Sequence, residues 1–259
     1  MLAIERRNAI LAKLNAEGKV IVADLSKAFD VTEETIRRDL EKLDNEGLEK
    51  KTYGGAVLTQ SLHTDLPFNV RKRANVDLKQ RIAERIADMI QDGDYIMMDA
   101  SSTAIYVTQF IKNKKKNITL ITNSVEIMLK LADKDDWNVL STGGALKKGA
   151  LALVGTSAER MIRGFHVDLA VCSCKGLDIN MGITDSNEKD SCIKQAIFAS
   201  AERKVLAVDS TKFDKISFVR VCDTSEVDTI VTDCKPAERW VEYLRGKDIE
   251  LVYEGDKEQ

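Results

Sequence analysis

The chain has 259 residues, 44% of them hydrophobic and 31% charged, with two prolines and a formal net charge of −3. These values exclude a disordered or collagen-like chain, and the length suits one large domain or a small domain joined to one of ordinary size. The charge gives no global basic signal, so contact with nucleic acid would have to come from a local arrangement of Lys and Arg.

The start, Met1-Leu2-Ala3-Ile4-Glu5-Arg6-Arg7, is amphipathic without a signal-peptide core, and no apolar run approaches the roughly 20 residues that cross a bilayer. A cytoplasmic protein with no membrane partner is expected. Helical spacing of Ile4, Ile10, Leu11 and Leu14 predicts a first helix, stopped by Gly18. A second runs over Ala23–Phe29 with Leu25, Ala28 and Phe29 on its apolar face. Thr32 is placed to cap a third helix reaching about Asn45, with Glu33 and Glu34 at the positive end of its dipole. Ile36, Leu40 and Leu43 share one face of it, and Glu34, Arg38, Glu41 and Asn45 share the other. Two short strand-like runs around Gly54-Gly55 then predict a hairpin wing over Lys50–Val57. The polar stretch from Thr59 to Leu66 and Pro67 predict a linker over residues 59–76, separating a domain of residues 1–58 from one of residues 77–259.

Beyond the linker, helices and apolar strands alternate. Helices are predicted at Asp77–Ile90, Thr103–Ile111, Val125–Ala132, Ser157–Ile162, Ser191–Ala201 and Ala237–Leu244. Strands are predicted at Tyr95–Asp99, Ile118–Thr122, Asn138–Ser141, Leu169–Cys174, Lys204–Val208, Thr229–Thr232 and Glu250–Val252. The alternation implies an α/β domain with a mainly parallel sheet covered on both faces.

Three short helices followed by a basic hairpin suit a winged helix-turn-helix whose third helix enters a DNA major groove. Arg37 and Arg38 offer forked donors to base edges or phosphates, and Thr35 lies near the helix start where base contacts concentrate. Lys50, Lys51 and Tyr53 are placed to hold the DNA backbone. The other reading is a three-helix packing module with a merely solvated charged face, favoured by the 10 Lys/Arg against 11 Asp/Glu of residues 1–57. The strings Thr35-Ile36-Arg37-Arg38-Asp39-Leu40 and Gly54-Gly55-Ala56 closely resemble the DeoR family of bacterial repressors. The resemblance implies a DNA-binding winged helix-turn-helix here, with Tyr53 where members often carry His.

In the second half, polar clusters fall where strands run out, the place where open parallel sheets bind ligands. Asp99-Ala100-Ser101-Ser102-Thr103 offers hydroxyls and helix-start amides to a phosphate, or is an ordinary helix cap. Asn123 follows a strand; Gly143-Gly144 follow another and allow close approach or simply a turn; Lys212 is a point charge for phosphate or a solvated loop cation. Lys175, Asp185, Glu188 and Lys194 are candidates for hydroxyl and charge contacts to a sugar, although each such residue type is commonly a surface residue. From Arg71, Asn75 and Lys79 to Asp209-Ser210-Thr211-Lys212-Phe213 the chain is similar to the DeoR sensor domain. That likeness implies a fold similar to ribose-5-phosphate isomerase and the CoA transferases, and an effector pocket that takes a sugar phosphate. It carries the pocket motifs onto Asp99, Ser101, Ser102, Thr103, Asn123, Gly143, Gly144 and Lys212.

Five cysteines, at 172, 174, 192, 222 and 234, are odd in number and read as free thiols. Cys172 and Cys174, where many members have Gly and Ala, suit a soft metal or an oxidant sensor, but with His63 and His166 as the sole histidines, buried small residues are the better fit, and no metal or cofactor is expected. The expected function is a repressor of a sugar-metabolism operon. It would bind an operator as a homo-oligomer, dimer or tetramer, and respond to a phosphorylated sugar. Two readings compete: a sugar-phosphate isomerase-like enzyme with an appended module, for which no paired acid and base emerges, and a protein-binding scaffold.

Overall fold

Ile36, Leu40 and Leu43 lie on one stripe of a single helix, and the core of the N-terminal unit forms around that stripe. The computed structural model describes residues 3–45, 50–52, 54–57 and 68–255, apart from a few side chains that include those of Lys50 and Lys51. Two compact units result, Met1–Ala74 and Asn75–Gln259.

The first unit contains α1 (Ala3–Glu17), β1 (Lys19–Ile21), α2 (Val22–Phe29), α3 (Glu33–Asn45), β2 (Lys50–Thr52), β3 (Gly55–Val57) and α4 (Phe68–Arg73). Ile10 and Leu14 of α1, Leu25 of α2 and the α3 stripe are all fully buried together with Val20, Val22 and Ala56. Asp30 ends α2 in the left-handed conformation at φ 52°, and its backbone N–H closes on the Ser26 carbonyl. The wing is three-stranded, in the order β1-β3-β2. The residues before α2 therefore form a strand that the sequence did not signal. Gly55 is forced by this pairing, because a Cβ there would lie 2.1 Å from the Val20 carbonyl oxygen. Helix α4 lies inside the stretch expected to be a linker, whose residues 59–67 fall outside the described set.

The second unit is built on a seven-stranded, wholly parallel sheet. Its strands are β4 (Tyr95–Met98), β5 (Thr119–Thr122), β6 (Asn138–Ser141), β9 (Val167–Cys172), β12 (Ala201–Ala207), β14 (Thr229–Val231) and β15 (Glu250–Val252). Their spatial order is β15-β14-β12-β9-β4-β5-β6. The helices are α5 (Val76–Met89), α6 (Ser102–Lys112), α7 (Val125–Leu131), α8 (Thr156–Arg163), α9 (Glu188–Ala199) and α10 (Glu238–Arg245). Apolar residues of β4, β9 and β12 pack in one core with α8, α9 and α10, centred on residues such as Met97, Ala170, Leu206, Ile197 and Trp240. Two smaller antiparallel pieces complete the unit. One is the hairpin β7 (Ala145–Lys147) with β8 (Ala152–Val154); the other is a sheet of β10 (Gly176–Asp178), β11 (Gly182–Asp185) and β13 (Val219–Cys222).

Helix α9 starts three residues earlier and ends two residues earlier than the sequence suggested. Asn187 sets its start by accepting from the Asp190 amide at 3.0 Å. Among the described residues no helix is long and apolar enough to cross a membrane.

Candidate functional site

In the first unit, the hydroxyl of Thr32 accepts the Thr35 amide at 3.2 Å and lies 2.9 Å from the Thr35 hydroxyl, closing the exposed start of α3. Arg37 and Arg38 project beyond it, their side chains 48% and 75% exposed. Each is held by a carboxylate one turn back: Arg37 by Glu33 at 2.6 Å, and Arg38 by Glu34 at 3.4 Å. Sequence reasoning missed Asp39. It is buried on the core side of α3, where it pairs with Arg6 at 2.5 Å and Arg7 at 3.5 Å and so ties α3 to α1. A carboxylate three residues after Ile36 on the apolar side was the available signal. Tyr53 and the side chains of Lys50 and Lys51 lie outside the described residues; the backbone of both lysines is in β2.

In the second unit the strand order reverses between β4 and β9, and open parallel sheets bind ligands at the carboxyl edge of such a switch point. Asp99 lies there, 1% exposed, and bridges both sides. Its Oδ1 accepts the Ser101 amide at 3.0 Å, and its Oδ2 accepts the Ser173 amide, after β9, at 3.1 Å. Oδ2 also takes the ammonium of Lys194, which reaches in from α9 and stands 3.4 Å from Asp185 at the end of β11. Burial pushes the Lys194 pKa down, but the carboxylates of Asp99 and Asp185 outweigh it and hold the group well above its usual range. The ammonium is therefore spent inside the protein, balancing two buried carboxylates.

Ser101 caps α6 by accepting the Ala104 amide at 3.1 Å, and Ser102 and Thr103 are buried in the first turn. At the end of β5 the Thr122 hydroxyl donates to the Met98 carbonyl at 2.8 Å, and just after it Asn123 Nδ2 donates to the Leu153 carbonyl at 3.0 Å. After β6, Gly143 and Gly144 adopt φ of 62° and 103°. A Cβ on Gly144 would lie 2.7 Å from the Val154 carbonyl oxygen and 2.9 Å from Ala158 Cβ, so its smallness serves packing, whereas Gly143 faces open space. After β12, Asp209 accepts the Thr211 amide at 3.1 Å, and half-buried Lys212 closes the same short turn, its amide donating to the Asp209 carbonyl at 3.0 Å. Ser210 in that turn is tied to buried Asp233, after β14, by its amide at 2.6 Å and its hydroxyl at 3.0 Å. The amide of Lys175 donates to the Thr184 carbonyl at 3.0 Å, and Glu188 is exposed in the first turn of α9. Asp99, Ser101–Thr103, Asn123, Gly143 and Lys212 thus share one edge of the sheet.

Burial raises the thiol of Cys172 well above its usual range and pushes that of Cys174 up to about 12, so both remain protonated and unreactive at neutral pH.

A winged helix-turn-helix followed by a parallel α/β unit with polar residues gathered at its strand ends defines a two-part, DNA-binding regulator. Residues 6–62 match the DeoR-like helix-turn-helix domain and residues 74–234 the DeoR C terminal sensor domain. The chain belongs to the DeoR family of transcriptional regulators. It is 34% identical to the L-fucose operon activator of Haemophilus influenzae, over 95% of this chain and 98% of that one. It is 28% identical to the glycerol-3-phosphate regulon repressor of Escherichia coli K12, over 97% and 99%. Both relatives are named as regulators, and this chain is a regulator, not an enzyme. Among solved structures it is similar to ribose 5-phosphate isomerase A of Methanocaldococcus jannaschii, with a TM-score of 0.41 and 16% identity over 55% of this chain and 56% of that one.

Proposed function

We propose that the chain represses a sugar-metabolism operon and that a phosphorylated sugar in the crevice changes its affinity for the operator. In this reading α3 lies in the major groove, Thr35, Arg37 and Arg38 read bases, and Thr32, Lys50, Lys51 and Tyr53 set the helix against the DNA backbone. Binding a repeated or palindromic site requires a second subunit, so a homo-oligomer acts.

One observation carries the effector reading. The buried start of α6, with its hydroxyls and first-turn amides, and the ammonium-bearing turn of Lys212 occupy the same carboxyl edge of one parallel sheet. Helix-start amides and a lysine together suit a phosphate, and the surrounding Asn and Gly positions leave room for a polyol. The names of the relatives, an L-fucose operon activator and a glycerol-3-phosphate regulon repressor, support a carbohydrate effector.

A thermal-shift screen of the full chain against sugars and their phosphates tests it, since a ligand of the native state raises apparent stability. The reading predicts a shift that requires the phosphate and is lost in Ser102→Ala and Lys212→Ala. A shift with the free sugar alone, or none across the panel, contradicts it.

A further inference from the structure

The β6 end of the parallel sheet exposes aliphatic side chains on two adjoining elements. Leu129 of α7 is 69% exposed and Leu146 of β7 is 60% exposed, and Leu151, in the turn between β7 and β8, is exposed as well. A single exposed leucine is ordinary, whereas adjoining ones mark a surface that meets something. Backbone pairing brings these together. The Val125 amide donates to the Leu151 carbonyl at 2.9 Å and the Leu153 amide donates to the Asn123 carbonyl at 2.8 Å, so β8 lies against the start of α7. Leu146 pairs with Leu153 across the hairpin, which sends both side chains out of one face, while Ala152 and Val154 of the other face are buried. On α7, Val125 and Leu129 stand one turn apart, on the side away from buried Ile127 and Leu131.

The face is held in place, because Lys147 of the hairpin is paired with Asp190 of α9 at 2.5 Å. Beside it, β6 ends the strand order of the sheet, and among the described residues no strand pairs with its outer edge. Its residues Asn138-Val139-Leu140-Ser141 include neither a charge nor a proline to guard that edge.

The chemistry of the face selects its occupant. The exposed leucines offer a polyanionic duplex nothing to hold. Glu126 in the first turn of α7 and Lys130 in its last give the helix one charge of each sign. A two-fold axis across α7 runs the helices of two copies antiparallel and sets the acidic end of each against the basic end of the other. The face is therefore complementary to itself, as the interface between two identical subunits must be.

We propose that the outer face of α7 and the β7-β8 hairpin, beside the β6 edge, is the surface on which a second copy of this chain docks. This rests on the reading of the chain as an operator-binding protein that acts with two subunits.

Sedimentation velocity of the full chain tests it, on the native protein and on the double variant Leu129→Glu with Leu146→Glu. Both side chains are exposed, so the substitutions burden the fold of one subunit little. The expected result is a native oligomer whose mass is halved in the variant, with self-association weakened at least about a hundredfold, because the two-fold repeats each introduced carboxylate across the interface. Met181→Glu, at an exposed apolar position between β10 and β11, should leave the mass unchanged. A photo-crosslinking residue in place of Leu146 should give a covalent dimer joined to residues 125–154 of the second copy. An oligomer of unchanged mass in the double variant, or cross-links that fall elsewhere on the second copy, overturns the assignment of this face while the two-subunit reading stands. A native chain that stays monomeric both free and on operator DNA overturns the two-subunit reading and this proposal with it. Cross-linking in a cell extract to a different protein, and not to a second copy, overturns the occupant. If the double variant does not fold, Leu129→Gln with Leu146→Gln and the cross-link map decide between these outcomes.

Discussion

Arg37 and Arg38, proposed to read bases, are each paired with a carboxylate of the same helix, Glu33 and Glu34. Loss of a base-reading Arg38 in Arg38→Ala should cost about 1–3 kcal/mol of operator affinity, read by fluorescence anisotropy, and leave non-sequence-specific binding less affected. The carboxylates should act oppositely. Glu33→Gln with Glu34→Gln should raise affinity for random DNA several-fold and steepen its salt dependence, because two arginines are released to phosphates. Unchanged binding to random DNA would contradict that role. In the crevice, Lys194→Met leaves Asp99 and Asp185 buried without their cation and should cost about 3–5 kcal/mol in urea unfolding. Since the folded Lys194 pKa lies above its unfolded value, its contribution is fully present below about pH 10.4 and is lost as pH rises through the folded value. The native chain should therefore show an alkaline loss of stability that Lys194→Met lacks. The Lys194 pairing was illegible in the sequence because Asp99 is 95 residues away. Spacing can nominate each residue but cannot show that the charge is spent internally.

Elements made by local periodicity were legible. The Ile36, Leu40 and Leu43 stripe gave α3, the apolar runs gave all seven strands of the parallel sheet, and the turn residues at their ends marked where the crevice loops fall. What escaped were strands of three or four residues that lie outside the parallel sheet. Examples are β1 against β3, the β7-β8 hairpin, and the antiparallel sheet of β10, β11 and β13. Their alternation is too short to signal, and several expose apolar residues, such as Ile21 of β1 and Leu146 of β7, that blur what pattern there is. The pairing of β1 makes its own prediction. Gly55→Ala meets the Val20 backbone and cannot relax by moving a side chain, so it should destabilise the N-terminal unit by at least about 1–3 kcal/mol and weaken DNA binding without changing effector affinity. At the other end of the chain, Trp240 of α10 is fully buried, stacks edge-on with Phe213 at 5.1 Å and donates its indole N–H to Asp214 at 2.9 Å. Trp240→Ala should cost about 3–5 kcal/mol, and, because Phe213 follows Lys212, it should also loosen the turn assigned to phosphate. Calorimetry of the variant with a confirmed effector should show weaker binding in addition to a lower Tm.

For the whole molecule, the proposed function makes one chain serve two anionic ligands, a polyanionic duplex at α3 and a small phosphate at the sheet edge. An effector alters repression only through a difference in its affinity for two states of the protein, and that coupling is reciprocal. The most direct measurement is the operator Kd of the full chain, determined with and without a saturating sugar phosphate identified by thermal shift, together with the Kd of that sugar phosphate with and without operator. The account predicts that both constants change by the same factor, on the order of 5- to 150-fold, and that Ser102→Ala abolishes the change while leaving the effector-free operator Kd unaltered. An operator Kd unmoved by a saturating effector, with the effector demonstrably bound, would contradict it.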